Sequence, residues 1–570
     1  MANEAAVSFR EQLLFCLRRK KMQKIKKFTL AAVSVSAAFL LAACGSQQSS
    51  SSASKDKQVL KLSATAPLDT IDISKATGYG QTGNVFESFY RLGKNGQPAA
   101  GLAKSGTVSK DGKTWTFKLR SNAKWSNGEK ITAQDFVYSW RRTINPKTAS
   151  PYAYLFSGIK NADEIIAGKK SPSSLGIKAL NQETVQVKLN RPIAYFKVLM
   201  AYPLFGPQNE AFIKKTGKKY ATSSKYMLYS GPFKITGWKG TNDTWSFVKN
   251  NQYWDKQAVK LSKISYQVVK TTNTGYQLYQ QGKLDLTPLS SEQVKQLKKN
   301  KDFKTYPYSY VAFLAYNFQA KDATVKKALN NKNIRLALSL SLDRKILTSK
   351  VFGDGSSVPT GFVASGLAYD PANKEDFAKE QKVANTVDYN EKLAEKYWKT
   401  GLNELGLKKL NLTLLASNES TNADALTQYL QSQWTKVLSG INVKVNSIPS
   451  KNAYTKASSG DFDIYVSGWG GDFSDPMTFM QILQKGTSYN YGKWNNAEYN
   501  RLIKKALTTD ANDVNKRWQD LVKAAQVANA DQAVSPIYQQ TTAYLQNSKV
   551  KGIIHNNAGT QWSYKYAYIK

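Results

Sequence analysis

An α/β fold is what the sequence predicts, on three observations. The chain has 570 residues, room for three or four domains at about 150 residues each. Strand-like and helix-like stretches are mixed in the first third, and a regular strand-helix alternation occupies the last. In chain order, Val59–Ser63, Thr114–Leu119 and Thr184–Leu189 alternate apolar and polar residues and read as strands. Between the last two, Phe136, Val137 and Trp140 recur at helical spacing behind Thr132, a helix N-cap. Leu410–Ala416 reads as a strand, Ala423–Leu438 as a helix with Leu426, Tyr429, Leu430 and Val437 on one stripe, and Ile441–Ile448 as a strand. A helix at Ala453–Ser458 and a strand at Phe462–Ser467 complete β-α-β-α-β, the order of a parallel sheet with right-handed crossovers. Ligands of open α/β sheets sit outside the carboxyl ends of the strands. For the third strand that end is Gly468-Trp469-Gly470-Gly471-Asp472-Phe473-Ser474-Asp475-Pro476.

Composition excludes much chemistry. With 41% hydrophobic and 21% charged residues the bulk reads as globular. One histidine (His555) and two cysteines (Cys16, Cys44) leave nothing for a Cys/His zinc site or a Ser-His-Asp triad, so no metal and no cofactor are expected. Neither a G-x-S-x-G elbow nor a phosphate-binding P-loop occurs, and the pairs Asp461/Asp463 and Asp472/Asp475 are too close in sequence for a glycosidase pair. The chain is read as not an enzyme. Lys+Arg 81 against Asp+Glu 40 gives a net charge of +41, which raises an anionic partner. The lysines are scattered, with no block marking a nucleic-acid arm, so a solvated basic surface is expected and no nucleic acid. Adhesion to an anionic wall stays open beside it.

The amino terminus reads as an address. Arg18-Arg-Lys-Lys and Met22-Gln-Lys-Ile-Lys-Lys form a basic region, and Phe28–Ala43 an apolar one too short to span a bilayer. Leu41-Ala42-Ala43-Cys44-Gly45-Ser46 resembles the lipobox of bacterial lipoproteins, which implies cleavage of a signal peptide 1–43 and acylation of Cys44 by diacylglycerol and a further, palmitate-like chain. Met22 would give a signal peptide of ordinary length, so residues 1–21 read as an over-extended start. Residues 44–57, with a Ser49–Ser54 tract, read as a tether. Residues 1–43 hold eight Lys/Arg and two Asp/Glu, so the mature chain keeps a net charge of +35. It also keeps a single Cys, and an exported protein without disulfides suggests the outer face of a Gram-positive cell membrane.

Five stretches carry a resemblance: Lys124–Arg142, Ser230–Ile235, Asn251–Asp255, Ile334–Arg344 and Gly468–Pro476. In this order they resemble the substrate-binding proteins of oligopeptide ABC importers, a family of extracellular solute-binding proteins. The resemblance implies a bilobed periplasmic-binding-protein-like clamshell with an extra inserted subdomain. Residues 58–105, 231–312 and 533–570 would build lobe I, 106–230 the insert and 313–532 the parallel-sheet lobe II. It implies capture of an oligopeptide by a monomer, closure about an interlobe hinge, and delivery to an ABC permease whose ATPase subunits hydrolyse the ATP. A signalling peptide or an oligosaccharide is the alternative cargo.

The same resemblance places the site. Asp472 would pair with the peptide α-ammonium, or else cap the following turn, a role that suits Asp475 before Pro476. Trp469, Gly470 and Gly471 would line the groove, the glycines allowing close backbone approach, while a buried structural Trp469 is the other reading. Near the amino terminus Gly78, Tyr79 and Gly80 stand where relatives have a ligand-facing segment with an acidic residue, a departure that leaves pocket preference open. Asn418, with Glu419, follows a strand end and would face the cleft.

Overall fold

The computed structural model describes residues 58–419 and 422–570. The expectations for Cys44, the signal peptide 1–43 and the tether 44–57 lie outside the described residues.

Three sheets organise the chain. The first contains β1 (Val59–Ala64), which pairs in parallel with Lys263–Val268; Thr244–Lys249 and Phe233–Thr236 follow in antiparallel order. The second is antiparallel, in the order Ala103–Val108, Thr114–Leu119, Thr184–Lys188, Ile177–Asn181. Helix α1 (Ala133–Ile144) packs beside it. Its start is fixed as the Thr132 spacing predicts, with Asp135 Oδ2 accepting from Thr132 N–H at 2.8 Å. Its apolar stripe enters a stack in which Phe89 lies 4.1 Å from Phe136 and 4.2 Å from Phe117, ring to ring. Trp140 is fully buried and donates Nε1–H to the Phe205 carbonyl at 3.0 Å. Each such side chain contributes about 1.5–3 kcal/mol by burial, which seats the insert firmly against the strands it covers.

The third sheet has six strands, in the order Leu286–Pro288, β6 (Val534–Gln546), β2 (Phe303–Tyr316), β5 (Ile464–Gly470), β3 (Leu410–Ser417), β4 (Ile441–Ile448). Helices α2 (Ala423–Val437) and α3 (Ser450–Ser458) are the crossovers from β3 to β4 and from β4 to β5. β4, β3 and β5 run parallel, as the strand-helix rhythm predicts. From β5 onward the sheet is antiparallel, because β2 and β6 come from outside the β-α-β run and enter it in the opposite sense. Within 313–532 the strands β3, β4 and β5 run parallel, and the antiparallel β2 and β6 enter the sheet almost wholly from outside that range.

β2 and β6 are the longest strands, 14 and 13 residues. The division expected at residue 312 falls inside β2, so this strand belongs to both sides of it. Their ladder has two parts, Phe303–Pro307 against Leu545–Thr541 and Val311–Ala315 against Gln539–Val534, with a register shift between Pro307 and Val311. Tyr308, Ser309 and Tyr310 occupy that break, which frees their side chains and backbone for other partners.

Among the stretches that carried the resemblance, Ile334–Arg344 is structural. The Arg344 guanidinium is 2% exposed and donates to the carbonyls of Ser339, Val387 and Pro536, tying its helix to β6.

Candidate ligand cleft

The break in the β2–β6 ladder faces the end of β5. Tyr310 pairs with Gly470 and Val311 with Trp469. A side chain at Gly468 would have to displace the Tyr310 ring, since an added Cβ would stand 2.0 Å from its hydroxyl. At Gly470 the Tyr308 hydroxyl would stand at 3.0 Å. The glycines of this stretch therefore make room for two tyrosines that lie across the strand, nearly parallel at 6.5 Å. Gly471 N–H donates to Ser309 Oγ at 2.9 Å, so the break also holds the turn that follows β5.

That turn presents two aspartates in opposite states. Asp475 is held by Arg517 through two contacts of 2.9 and 2.7 Å, and its Oδ1 accepts from Met477 N–H at 2.9 Å. Tyr195 stacked on Phe473 at 4.6 Å braces the segment between them. Asp472 has its own N–H on Thr478 Oγ1 at 2.9 Å, but its Oδ2 is buried and without a partner among the described residues. Burial pushes its carboxyl up to about 6, against the lowering effect of the Tyr154 and Thr478 hydroxyls.

Five tyrosines surround Asp472: Tyr152, Tyr154, Tyr202, Tyr308 and Tyr489. Burial raises the phenol pKa of each, and the Asp472 charge adds to the shift in all five. They remain neutral donors at physiological pH. Tyr152, Tyr154 and Tyr202 come from the insert, Tyr308 from β2 and Tyr489 from the segment after β5, so several elements bring phenols near the carboxylate, with Tyr154 and Tyr489 each still 38% exposed. A buried carboxylate with a free oxygen and phenols in place of cations is suited to a small cation that brings its own donors.

The remaining residues named from sequence fall as follows. Trp469 is half-buried, edge-on to Tyr489 at 4.8 Å, and its Nε1–H is buried without a partner. Tyr79 is 2% exposed; its hydroxyl donates to the Ile73 carbonyl at 2.5 Å and its ring supports Tyr202 edge-on at 5.0 Å. Tyr79 therefore backs the tyrosine ring and keeps its hydroxyl occupied. Gly80 has open space where a side chain would stand and lines a cavity of about 440 Å³ with Gln81, Thr287, Tyr544, Gln561 and Trp562. Gln81 Oε1 is buried there and unpartnered. Asn418 is exposed and donates its N–H to the Ile448 carbonyl at 3.1 Å, extending the β3–β4 pairing past the strand end.

Sequence reasoning missed the tyrosine ring, Gln81 and Gln561. Tyr308 and Tyr310 alone left a signal, two aromatics at strand spacing whose bulk calls for small residues opposite. Among the described residues no cluster of three or more metal-ligating side chains occurs. His555 lies against Tyr306 and Trp562, and burial lowers its pKa to about 4, so it stays neutral.

A mixed sheet with a broken pair of long strands, and a buried unpaired carboxylate beyond a strand end, are features of a ligand-binding site. Residues 97–491 match the bacterial extracellular solute-binding proteins, family 5 (middle), and the chain belongs to that family. It is 38% identical to a dipeptide-binding protein of Lactococcus lactis subsp. cremoris, over 96% of this chain and all of that one. It is 34% identical to the oligopeptide-binding protein OppA of Bacillus subtilis, over 85% of this chain and 87% of that one. Among solved structures, Listeria monocytogenes OppA bound to peptide superposes with a TM-score of 0.72 at 39% identity, over 90% and 99% of the two chains. The pheromone receptor PrgZ superposes with 0.72 at 36% identity, over 90% and 100%. The fold is thus the bilobed α/β solute-binding fold.

Proposed function

We propose that this chain is the extracellular solute-binding subunit of an ABC importer. It captures oligopeptides between two lobes and hands them to a membrane permease driven by separate ATPase subunits. Residues 58–105, 231–312 and 533–570 form lobe I with the insert 106–230, and 313–532 form lobe II. The hinge lies at the ladder break around Tyr308–Tyr310. Acylation of Cys44 anchors the protein on the outer face of the cell membrane, where it works as a monomer.

The observation that carries the reading is the unpartnered Oδ2 of Asp472 inside its ring of neutral tyrosines. A peptide α-ammonium supplies three donors and a positive charge to that carboxylate, the match that offsets its desolvation. Trp469 and Gly470 offer backbone beside it, and the cavity lined by Gly80 and Gln561 leaves volume for side chains. The peptide bound to Listeria monocytogenes OppA and the peptide binding of the pheromone receptor PrgZ favour the same ligand class and keep a signalling peptide as a second cargo.

Native mass spectrometry of the purified protein, before and after refolding with mixed tri- to octapeptides, tests this. Bound peptides with free amino termini are expected, and their lengths define the cleft. Equal binding of the same peptides after amino-terminal acetylation would remove Asp472 from its role.

A further inference from the structure

We propose that the face around Gln58 is a docking surface for an anionic phospholipid bilayer. This rests on Cys44 as the lipid anchor and goes further, since an acyl chain does not by itself select which face meets the membrane.

Three stretches converge where the described chain begins. Gln58 accepts from Ile569 N–H at 3.1 Å through Oε1 and donates Nε2–H to the Ile569 carbonyl at 2.8 Å. Its own carbonyl accepts from Ser262 N–H at 2.9 Å. Next to it Val59 pairs with Lys263, Val550 with Ile569 and Lys551 with Tyr568. Residues 260–263, 549–551 and 566–569 are thus brought to one place by backbone pairing.

These stretches carry Lys260, Lys263, Lys549 and Lys551, all exposed, and no acidic side chain. No ion pair joins any of the four to a described residue, whereas the side-chain carboxylates of Asp255 and Asp285 are engaged. Asp255 pairs with Lys565 at 2.7 Å, and Asp285 accepts from Lys61 N–H and Asn547 Nδ2. Among the lysines stand Tyr566 and Tyr568, 43% and 40% exposed. Unpaired lysines attract phosphate headgroups while their stems lie along apolar surface, and exposed tyrosines suit the boundary between headgroup and acyl chain.

Position selects the bilayer over other anions. From Cys44 to Gln58 is 14 residues, at most about 50 Å of fully extended chain, so an acylated Cys44 keeps Gln58 within that distance of the lipid. The basic, tyrosine-bearing face is the one next to the point where the tether joins the described chain.

The test uses the lipidated protein purified from membranes and placed on vesicles of phosphatidylcholine alone or mixed with phosphatidylglycerol. Flotation with the pure phosphatidylcholine vesicles reads the anchor. Acylation of surface amines, followed residue by residue by peptide mass spectrometry, reads the patch, with the exposed Lys408 and Lys409 as internal references. On phosphatidylglycerol the four patch lysines are expected to react about five-fold more slowly, with recovery in high salt and no change at the references. A K260Q/K263Q/K549Q/K551Q variant should lose the salt-dependent protection of the neighbouring Lys570 and keep peptide binding. Flotation with equal acylation on both vesicles overturns the patch and leaves the anchor standing. Protection on phosphatidylglycerol without flotation on phosphatidylcholine removes the anchor and supports the patch. Protection by added poly(glycerol phosphate), with none by phosphatidylglycerol, overturns the bilayer in favour of a wall polymer.

Discussion

Asp472 and Asp475 stand three residues apart on one turn and do opposite work. Asp475 meets the Arg517 guanidinium in a two-pronged contact and caps the following helical turn, so its charge is neutralised inside the protein. Asp472 has a buried oxygen and meets no cation among the described residues, so its charge is costly until something outside supplies one. A carboxylate with its partner in the chain stabilises the fold. One without a partner stores binding capacity, and the folded protein carries the cost of keeping it ready.

Removing the engaged carboxylate is the severest way to break the comparison. Asp475→Ala leaves Arg517 buried and unpaired and should destabilise the protein by about 3–5 kcal/mol; urea unfolding of the ligand-free protein measures it. Asp472→Asn should act oppositely on stability and function. Affinity for peptides with a free amino terminus is expected to fall by about 2–5 kcal/mol by calorimetry, while acetylated peptides lose little. The same variant should be more stable than the parent without ligand. Because the folded carboxyl is raised to about 6, folding favours its protonated form; the parent is most stable below the unfolded value near 3.8 and loses stability as pH rises through about 6. The gain from Asp472→Asn therefore appears above pH 6 and fades below pH 4, and thermal melts at several pH values separate the cases.

Subtler changes sharpen the comparison. Gly468→Ala forces the Tyr310 ring aside and should cost about 1–3 kcal/mol of stability, with peptide affinity falling as the Tyr308 ring stacked on it shifts. The smallest effect is a titration of the parent itself. Peptide affinity should be flat near pH 7, where the peptide amine is still an ammonium, and decline by up to about ten-fold per pH unit below about 6, as Asp472 takes up a proton. A flat profile down to pH 5 would detach the ammonium from this carboxylate.

Local pattern carried much of the fold. The alternation in Val59–Ser63 and Thr114–Leu119, the Thr132–Asp135 start of α1 and the β3-α2-β4-α3-β5 rhythm all read through, because propensity, capping and periodicity act over a few residues. The antiparallel entry of β2 and β6 did not, because it joins segments more than 200 residues apart that no local pattern records. The site divides the same way. Asp472 and its glycines are contiguous and could be named, whereas Tyr152, Tyr202, Tyr308 and Tyr489 are scattered among 32 tyrosines with nothing local to mark them.

From sequence alone followed the α/β class and the stretch around Asp472, since each rests on periodicity or short spacing. Tertiary structure alone decided that Asp475 would find Arg517 and Asp472 would find no cation, that Tyr79 would back the wall, and that a broken ladder would open beside β5. Those outcomes depend on which distant side chains share a buried volume, and burial is what makes the presence or absence of a counter-charge matter.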